Sequence, residues 1–326
     1  MNFALIGASG FVSPRHMRAI RDTGHNLVAA FDPNDSVGII DSYFPEADFF
    51  TEFERFDRHL EKLKRQGLSL DFVSVCSPNY LHDAHIRFGL RLGAYVICEK
   101  PLVLNPWNVD ALKDIEKEHR RKVFTILQLR LHPSILALKH AVDTSPAYKI
   151  HDVELTYITS RGKWYYASWK GDIQKSGGIA TNIGIHFFDM LQWIFGSVRE
   201  NIVHIHTHDR AGGLLILERA RVRWFLSINP ETLPEDIKNK GGKTFRAMTV
   251  DENTIEFSEG FTDLHSLSYQ EILHGNGFGL EDALPSIQIV HQIRNRPLTP
   301  IADHYHPLSK APSAPHPFSN NPLNEP

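Results

Sequence analysis

Five short apolar runs, Phe3–Ile6, Asn26–Phe31, Asp71–Cys76, Ala94–Cys98 and Val123–Leu129, alternate with the helical stretches Pro14–Thr23, Asn79–Leu92 and Asn105–Arg120. Strands separated by helices fold as a parallel, doubly wound sheet. Such a sheet binds its ligands outside the carboxyl ends of its strands. Residues that close these runs are therefore the first candidates for chemistry. After about Leu131 the pattern changes. Ile150–Ser160, Ile202–His208, Gly213–Glu218, Ala220–Ile228, Arg246–Val250 and Thr254–Phe257 read as strands following strands. A largely antiparallel open sheet in a second, α+β domain is expected there. Two helices, about Thr181–Phe195 and Leu280–Asn295, belong to the same half. The expected organisation is 1–129, 130–299 and a tail, 300–326, that carries seven prolines and reads as disordered or as an extended arm.

The chain has 326 residues, 42% of them hydrophobic and 22% charged, and a formal net charge of −3. Nothing in that balance attracts nucleic acid or an anionic membrane. No apolar run reaches the roughly 18 residues of a membrane span. The chain enters a strand directly after Met1, without the basic region of a signal peptide. Cys76 and Cys98 each close an apolar run and read as small buried residues in a reducing cytoplasm.

The first strand runs into Gly7-Ala8-Ser9-Gly10-Phe11-Val12-Ser13 and then into a helix, the setting of a dinucleotide fingerprint. Gly7 permits the tight turn. Gly10 lets the backbone approach a pyrophosphate, which the helix N-terminus holds through its amides. Phe11 and Val12 belong to the same cofactor loop. Asp32 closes the second strand and is placed to accept hydrogen bonds from an adenosine ribose. No basic residue follows it at once, so NAD is expected rather than NADP. Ser77, Asn79 and His82 close a further strand at the same edge; Asn79 also reads as a helix cap. His85 follows on that helix. Glu99-Lys100-Pro101 ends the Ala94–Cys98 run, and a lysine there can orient a hydroxyl and stabilise charge developing on its oxygen.

In the second half, Asn182, His186, Asp189 and Trp193 recur at helical spacing. Asn182 and His186 are one turn apart and can touch the same small ligand. His186 is a candidate acid/base. Gly177, Gly178 and Gly184 permit a close approach of backbone to cofactor. Arg161, Lys163, Lys170 and Lys175 lie among Trp164, Tyr165, Tyr166 and Trp169, which suits an anionic, ring-bearing substrate. His204, His206 and His208 alternate along one strand and read as an exposed polar face, because flat strand spacing closes a tetrahedral metal site poorly. No metal is expected.

These motifs resemble the Gfo/Idh/MocA oxidoreductases, and within them the bacterial UDP-N-acetyl-glucosaminuronate 3-dehydrogenases. The resemblance is carried by Gly7–Ile20 (GASGFVSPRHMRAI), Asp32–Asp41 (DPNDSVGIID), Cys76–His82 (CSPNYLH), Val96–Leu102 (VICEKPL), Ile126–Arg130 (ILQLR), Ile158–Lys170 (ITSRGKWYYASWK), Ala180–Leu191 (ATNIGIHFFDML) and Glu259–Leu273 (EGFTDLHSLSYQEIL). It implies a Rossmann-type nucleotide domain, Lys100 and His186 as the catalytic pair, and Gly7, Gly10, Phe11, Val12, Asp32, Ser77, Asn79, His82, Glu99 and Lys100 around NAD. It implies Arg161, Lys163, Tyr165 and Asn182 around a UDP-sugar, with 2-oxoglutarate as a hydride acceptor in some related enzymes. It also implies a cytoplasmic homotetramer in surface-polysaccharide (O-antigen) synthesis. Two positions depart from the family pattern: Asn182 replaces the usual aspartate, so the acid/base role rests more heavily on His186, and Ser13 replaces the third loop glycine or alanine. The other readings compatible with these residues are a dehydrogenase of a free sugar or inositol, and a ligand-sensing regulator on the same fold. The joint presence of Lys100 and His186 favours an enzyme.

Overall fold

The computed structural model describes residues 1–257 and 263–319. It divides into two compact units, Met1–Leu131 with Gly260–Ile287, and His132–Glu259 with Gln288–Pro326.

In the first unit β1 (Asn2–Ile6), β2 (Asn26–Phe31), β3 (Asp48–Phe50), β4 (Phe72–Val75), β5 (Tyr95–Cys98) and β6 (Val123–Thr125) form one sheet in the order β3-β2-β1-β4-β5-β6. Every pairing is parallel. Helices α1 (Ser13–Asp22), α2 (Phe53–Arg65), α3 (His82–Arg91) and α4 (Pro106–His119) make the connections. The alternation expected from the sequence is therefore present. Two elements it did not mark are β3 and α2. Helix α2 follows a rule visible in its residues: Phe53, Phe56 and Leu60 recur at three and four positions and face inward, with Phe56 and Leu60 buried. Phe56 packs among Phe31, Phe50, Phe53 and Phe88.

The helix Leu264–Leu273 returns to this first unit, against the expected 130–299 assignment. Its buried Tyr269 and Ile272 join the core of Phe3, Leu5, Met17 and Ile20. An apolar face on a helix does not state which distant core it will fill, so the sequence pattern alone could not place it. Residues 259–262 of the expected family stretch lie outside the described residues.

In the second unit α5 (Pro133–Thr144), β7 (His151–Thr159), α6 (Lys163–Ala167), α7 (Ile173–Ser176), α8 (Ile185–Phe195), β8 (Val198–His206), β9 (Arg210–Leu217), β10 (Ala220–Ser227), α9 (Glu235–Asn239), β11 (Thr244–Val250) and β12 (Asn253–Thr254) build a second six-stranded sheet. Its order is β12-β11-β7-β10-β9-β8, and only β7–β10 is parallel. Trp224 of β10 is fully buried and meets Phe188 of α8 edge to face.

Three expectations for this half are corrected. Gly184 does not clear room for a cofactor: a Cβ there would run into the side chain of Leu226, so the missing side chain lets the helix lie on β10. Gly177 and Gly178 have φ of 79° and 78°, so their need is a left-handed turn after α7. The three histidines are not an exposed face. β8 ends at His206, His204 is buried with Nδ1 3.0 Å from the Thr299 carbonyl, and His208 Nε2 lies 3.2 Å from the Ala314 carbonyl. The described residues of the tail lie on this unit as an extended arm, through His306 Nε2 to Thr156 Oγ1 at 2.8 Å and Arg210 Nη1 to the Ala311 and Pro312 carbonyls. No helix among the described residues is long and apolar enough to cross a membrane.

Phe56→Ala is expected to destabilise the first unit by about 3–5 kcal/mol, since it empties the centre of an aromatic cluster. Urea denaturation followed by far-UV circular dichroism measures it.

Candidate active site

In the first unit the predicted cofactor residues gather at one edge of the parallel sheet. Gly7 has φ 95°, and a Cβ there would sit 2.6 Å from the backbone of Cys76 and Ser77. Only glycine lets the turn after β1 pass so close to the end of β4. The Gly7 and Ala8 N–H groups donate to the Phe31 carbonyl at 2.8 and 3.2 Å. Ser13 is buried; its hydroxyl donates within the loop to the carbonyls of Ala8 and Gly10. The serine that departs from the fingerprint thus stiffens the loop from inside.

Asp32 is buried at the end of β2. Its Oδ2 accepts the Ser9 N–H at 3.0 Å and its Oδ1 accepts the Asn34 N–H at 2.9 Å. One carboxylate therefore ties the glycine loop to its own turn. Each oxygen keeps a further lone pair for a ribose hydroxyl. Phe11 is 89% exposed, with the Arg15 guanidinium 5.9 Å from its ring, and Val12 is half-buried beside it. An aromatic left bare at the mouth of a nucleotide loop is a surface for a ligand.

At the end of β4 the side chains are more committed than the sequence suggests. Asn79 opens a short 3-10 turn, Asn79–Leu81, and the position that caps α3 is Leu81. His82 is buried, with Nδ1 2.7 Å from the Pro101 carbonyl and Nε2 2.8 Å from the Ser77 carbonyl. It ties two loops of the sheet edge together. Burial lowers its pKa, with the two carbonyls opposing. His85 Nδ1 and the Ser77 hydroxyl are 2.9 Å apart, and burial, then the neighbouring His82, take His85 down to about 4. His85 is therefore neutral at physiological pH.

Glu99 and Lys100 close β5, and the Lys100–Pro101 peptide is cis. Lys100 is half-buried. Burial lowers its pKa, Glu99 opposes this, and Arg15 adds to it. A group that no sequence pattern marked surrounds Glu99: His16, His265, Tyr269 and Ser74, all buried. They come from α1, β4 and the helix Leu264–Leu273, so only their meeting in space reveals them. Cys76 and Cys98 are buried thiols whose pKa values burial pushes well up, ahead of Glu99.

In the second unit Asn182 occupies a π-helical turn, Ala180–Gly184, that leads directly into α8. His186 is the second residue of α8 and, like Asn182, half-buried. Asp189 is buried, so it does not share their access. Asn182 Nδ2 donates to the Tyr165 hydroxyl at 2.9 Å. The structure thus joins two predicted substrate residues. Tyr165 is buried and its pKa is raised, chiefly by burial, so the phenol remains neutral. Arg161 lies 5.9 Å from the Trp164 ring, Lys170 lies 4.3 Å from the Trp169 ring, and Lys163 is exposed. Beside Tyr165 a cleft of about 360 Å³ is lined by Lys170, Ile173, Gly178, Ile179, His206 and His208. That volume lies at the small end of the range of ligand pockets, and Lys170 supplies a cation in an otherwise largely apolar wall.

Residues 1–127 match the NAD-binding Rossmann-fold model of the Gfo/Idh/MocA oxidoreductases, and residues 149–223 match the model of their C-terminal alpha/beta domain. The chain belongs to this family. The WlbA (WbpB) dehydrogenase from Thermus thermophilus, solved with NAD and alpha-ketoglutarate, is 50% identical with a TM-score of 0.90, covering 93% of this chain and 97% of that one. The same dehydrogenase solved with NAD and UDP-GlcNAcA superposes with a TM-score of 0.91 at 49% identity, covering 94% and 99%. Among curated proteins, the inositol 2-dehydrogenase of Rhizobium meliloti (strain 1021) is 28% identical over 199 residues. That match covers 60% of this chain and 55% of the relative, so the chain spans about half the length of that protein. The first unit is the family's NAD-binding domain, and the cofactor is NAD.

Asp32→Ala is expected to weaken NAD binding by about 1–3 kcal/mol, through loss of a charged acceptor and of its hold on the glycine loop. Calorimetric titration measures it, and wild-type protein is expected to bind NAD more tightly than NADP.

Proposed function

We propose that this protein is an NAD-dependent dehydrogenase that oxidises the sugar C3 hydroxyl of UDP-N-acetyl-glucosaminuronate to a ketone. The observation that carries this reading is 49% identity over 99% of a dehydrogenase crystallised with NAD and UDP-GlcNAcA. The site residues support it. NAD, when bound, accepts the hydride from the sugar C3. His186 takes the hydroxyl proton as general base. Lys100 donates to the same oxygen and stabilises the negative charge that grows as the proton leaves. Gly7, Gly10, Phe11, Val12, Asp32, Ser77, Asn79 and Glu99 frame the cofactor end. Asn182, held by Tyr165, positions the sugar. Arg161 and Lys163 meet the carboxylate or the pyrophosphate. Desolvating two cations for a neutral polyol would cost free energy, whereas a carboxylated, diphosphorylated sugar gives each a partner.

The finer reading is a cytoplasmic homotetramer in O-antigen synthesis that reoxidises its NADH with a 2-oxo acid such as 2-oxoglutarate. Adding 2-oxoglutarate to protein purified with bound NADH is expected to discharge the nicotinamide absorbance.

Lys100→Met and His186→Asn are each expected to reduce turnover at least about 100-fold while NAD remains bound. Activity on UDP-N-acetyl-glucosaminuronate is expected well above that on UDP-N-acetylglucosamine, which lacks the C6 carboxylate, and Arg161→Ala is expected to narrow the gap. Equal kcat/KM for the two UDP-sugars, or a preference for inositol, would return the protein to the activity of its inositol dehydrogenase relatives.

A further inference from the structure

Glu99 is a buried carboxylate whose two oxygens are both engaged. Oε1 lies 3.1 Å from His16 Nε2 and 2.8 Å from His265 Nε2, and Oε2 accepts the backbone N–H of Lys100 at 3.2 Å. The network continues outward. His16 Nδ1 is 2.8 Å from the Tyr269 hydroxyl, which is 2.7 Å from Ser74 Oγ. An ionised carboxylate only accepts, so both histidines must present an Nε2–H. In the neutral ring, His16 Nδ1 carries a lone pair and accepts from Tyr269, and Ser74 donates to the tyrosine oxygen. His265 needs only the proton it gives to Glu99, since its Nδ1 has no partner among the described residues.

The electrostatics agree with that assignment. Burial pushes Glu99 up, but hydrogen bonds from His16 and His265 outweigh it and hold the carboxyl well below its ordinary range. Burial holds His265 down against Glu99, so its ring is neutral at physiological pH. The other titratable groups that feel Glu99 are Lys100, His82, Tyr269 and the thiols of Cys76 and Cys98. Arg15 acts on both Lys100 and His265. Burial keeps the thiols and Tyr269 neutral, and Glu99 is the negative charge buried in this cluster. Packing alone gives no reason to bury that charge, because an apolar side chain would fill the space at lower cost.

We propose that His16 and His265 are positioning residues for Lys100: they pin the Glu99 carboxylate on the Lys100 peptide and so fix the place of the lysine's charge at the substrate oxygen. The inference rests on the role given to Lys100 above. The ligand atoms of His16, Glu99 and His265 also lie within 4.8 Å of one another, as in a divalent-metal site, and the test separates the two cases.

The test measures kcat, sugar KM, NAD affinity and thermal stability for four variants of the holoenzyme. His265→Leu removes the donor. It is expected to lower kcat about 10–100-fold, the effect of a misplaced catalytic group, with KM and NAD affinity changed less than about threefold. His265→Gln can still present an N–H and is expected to recover most of that loss, although both variants give up similar packing. Tyr269→Phe removes only the hydroxyl that sets the His16 tautomer and is expected to lower kcat about 3–10-fold at unchanged fold; it carries the test if His265→Leu does not fold. Wild-type kcat in His265→Leu and Tyr269→Phe, or a loss that His265→Gln does not restore, overturns the inference while Lys100→Met remains inactive. Wild-type turnover in Lys100→Met instead defeats the reading beneath it. Stoichiometric zinc in the purified enzyme, lost to a chelator together with activity, also overturns it.

Discussion

The absence of a Cβ at Gly7 is the constraint on which the sheet edge depends. The turn after β1 crosses the end of β4 so closely that any side chain would occupy the space of the Cys76 and Ser77 backbone. That crossing aligns the ends of β1, β2 and β4. It brings Ser9 to the carboxylate of Asp32 and lets Ser13 lock the loop from within. Loop, acid and helix terminus behave as one object, and the substitution of serine at the third loop position leaves it intact.

Charge is handled differently in the two units. At the end of β5 a buried anion stands beside a lysine, held by donors from three separate elements. Lys100 has burial and Arg15 working against its proton and Glu99 working for it. In the second unit the cations Arg161 and Lys170 lie against tryptophan rings rather than against carboxylates. A cation stacked on a ring keeps its outward side for a ligand, which suits a site for an anionic one. Asn182 and Tyr165 add a neutral, directed hydrogen bond to the same face.

Several residues that read as functional in the sequence make structural ties: His82 spans two loops, His85 holds Ser77, and Gly184 seats a helix on β10. The same chemistry that makes such residues look functional in a sequence, two-sided hydrogen bonding or a missing side chain, also makes them good structural ties.

The sequence by itself determined the local terms. The alternation of apolar runs and helices, the glycine turn, Asp32 at a strand end and Lys100 after β5 were legible because each depends on neighbours within a few residues. The change to antiparallel strands was legible for the same reason. Helix α2 carried its signal in Phe53, Phe56 and Leu60, and the missed strand β3 is only three residues long. Tertiary structure alone decided that the helix Leu264–Leu273 completes the first unit, that the proline-rich arm meets His208, and that His16, His265, Tyr269 and Ser74 converge on Glu99. Those partners are joined by packing of surfaces far apart in the chain. No periodicity records which distant surface a helix will meet, so the buried charge network becomes visible only once the fold brings its parts together.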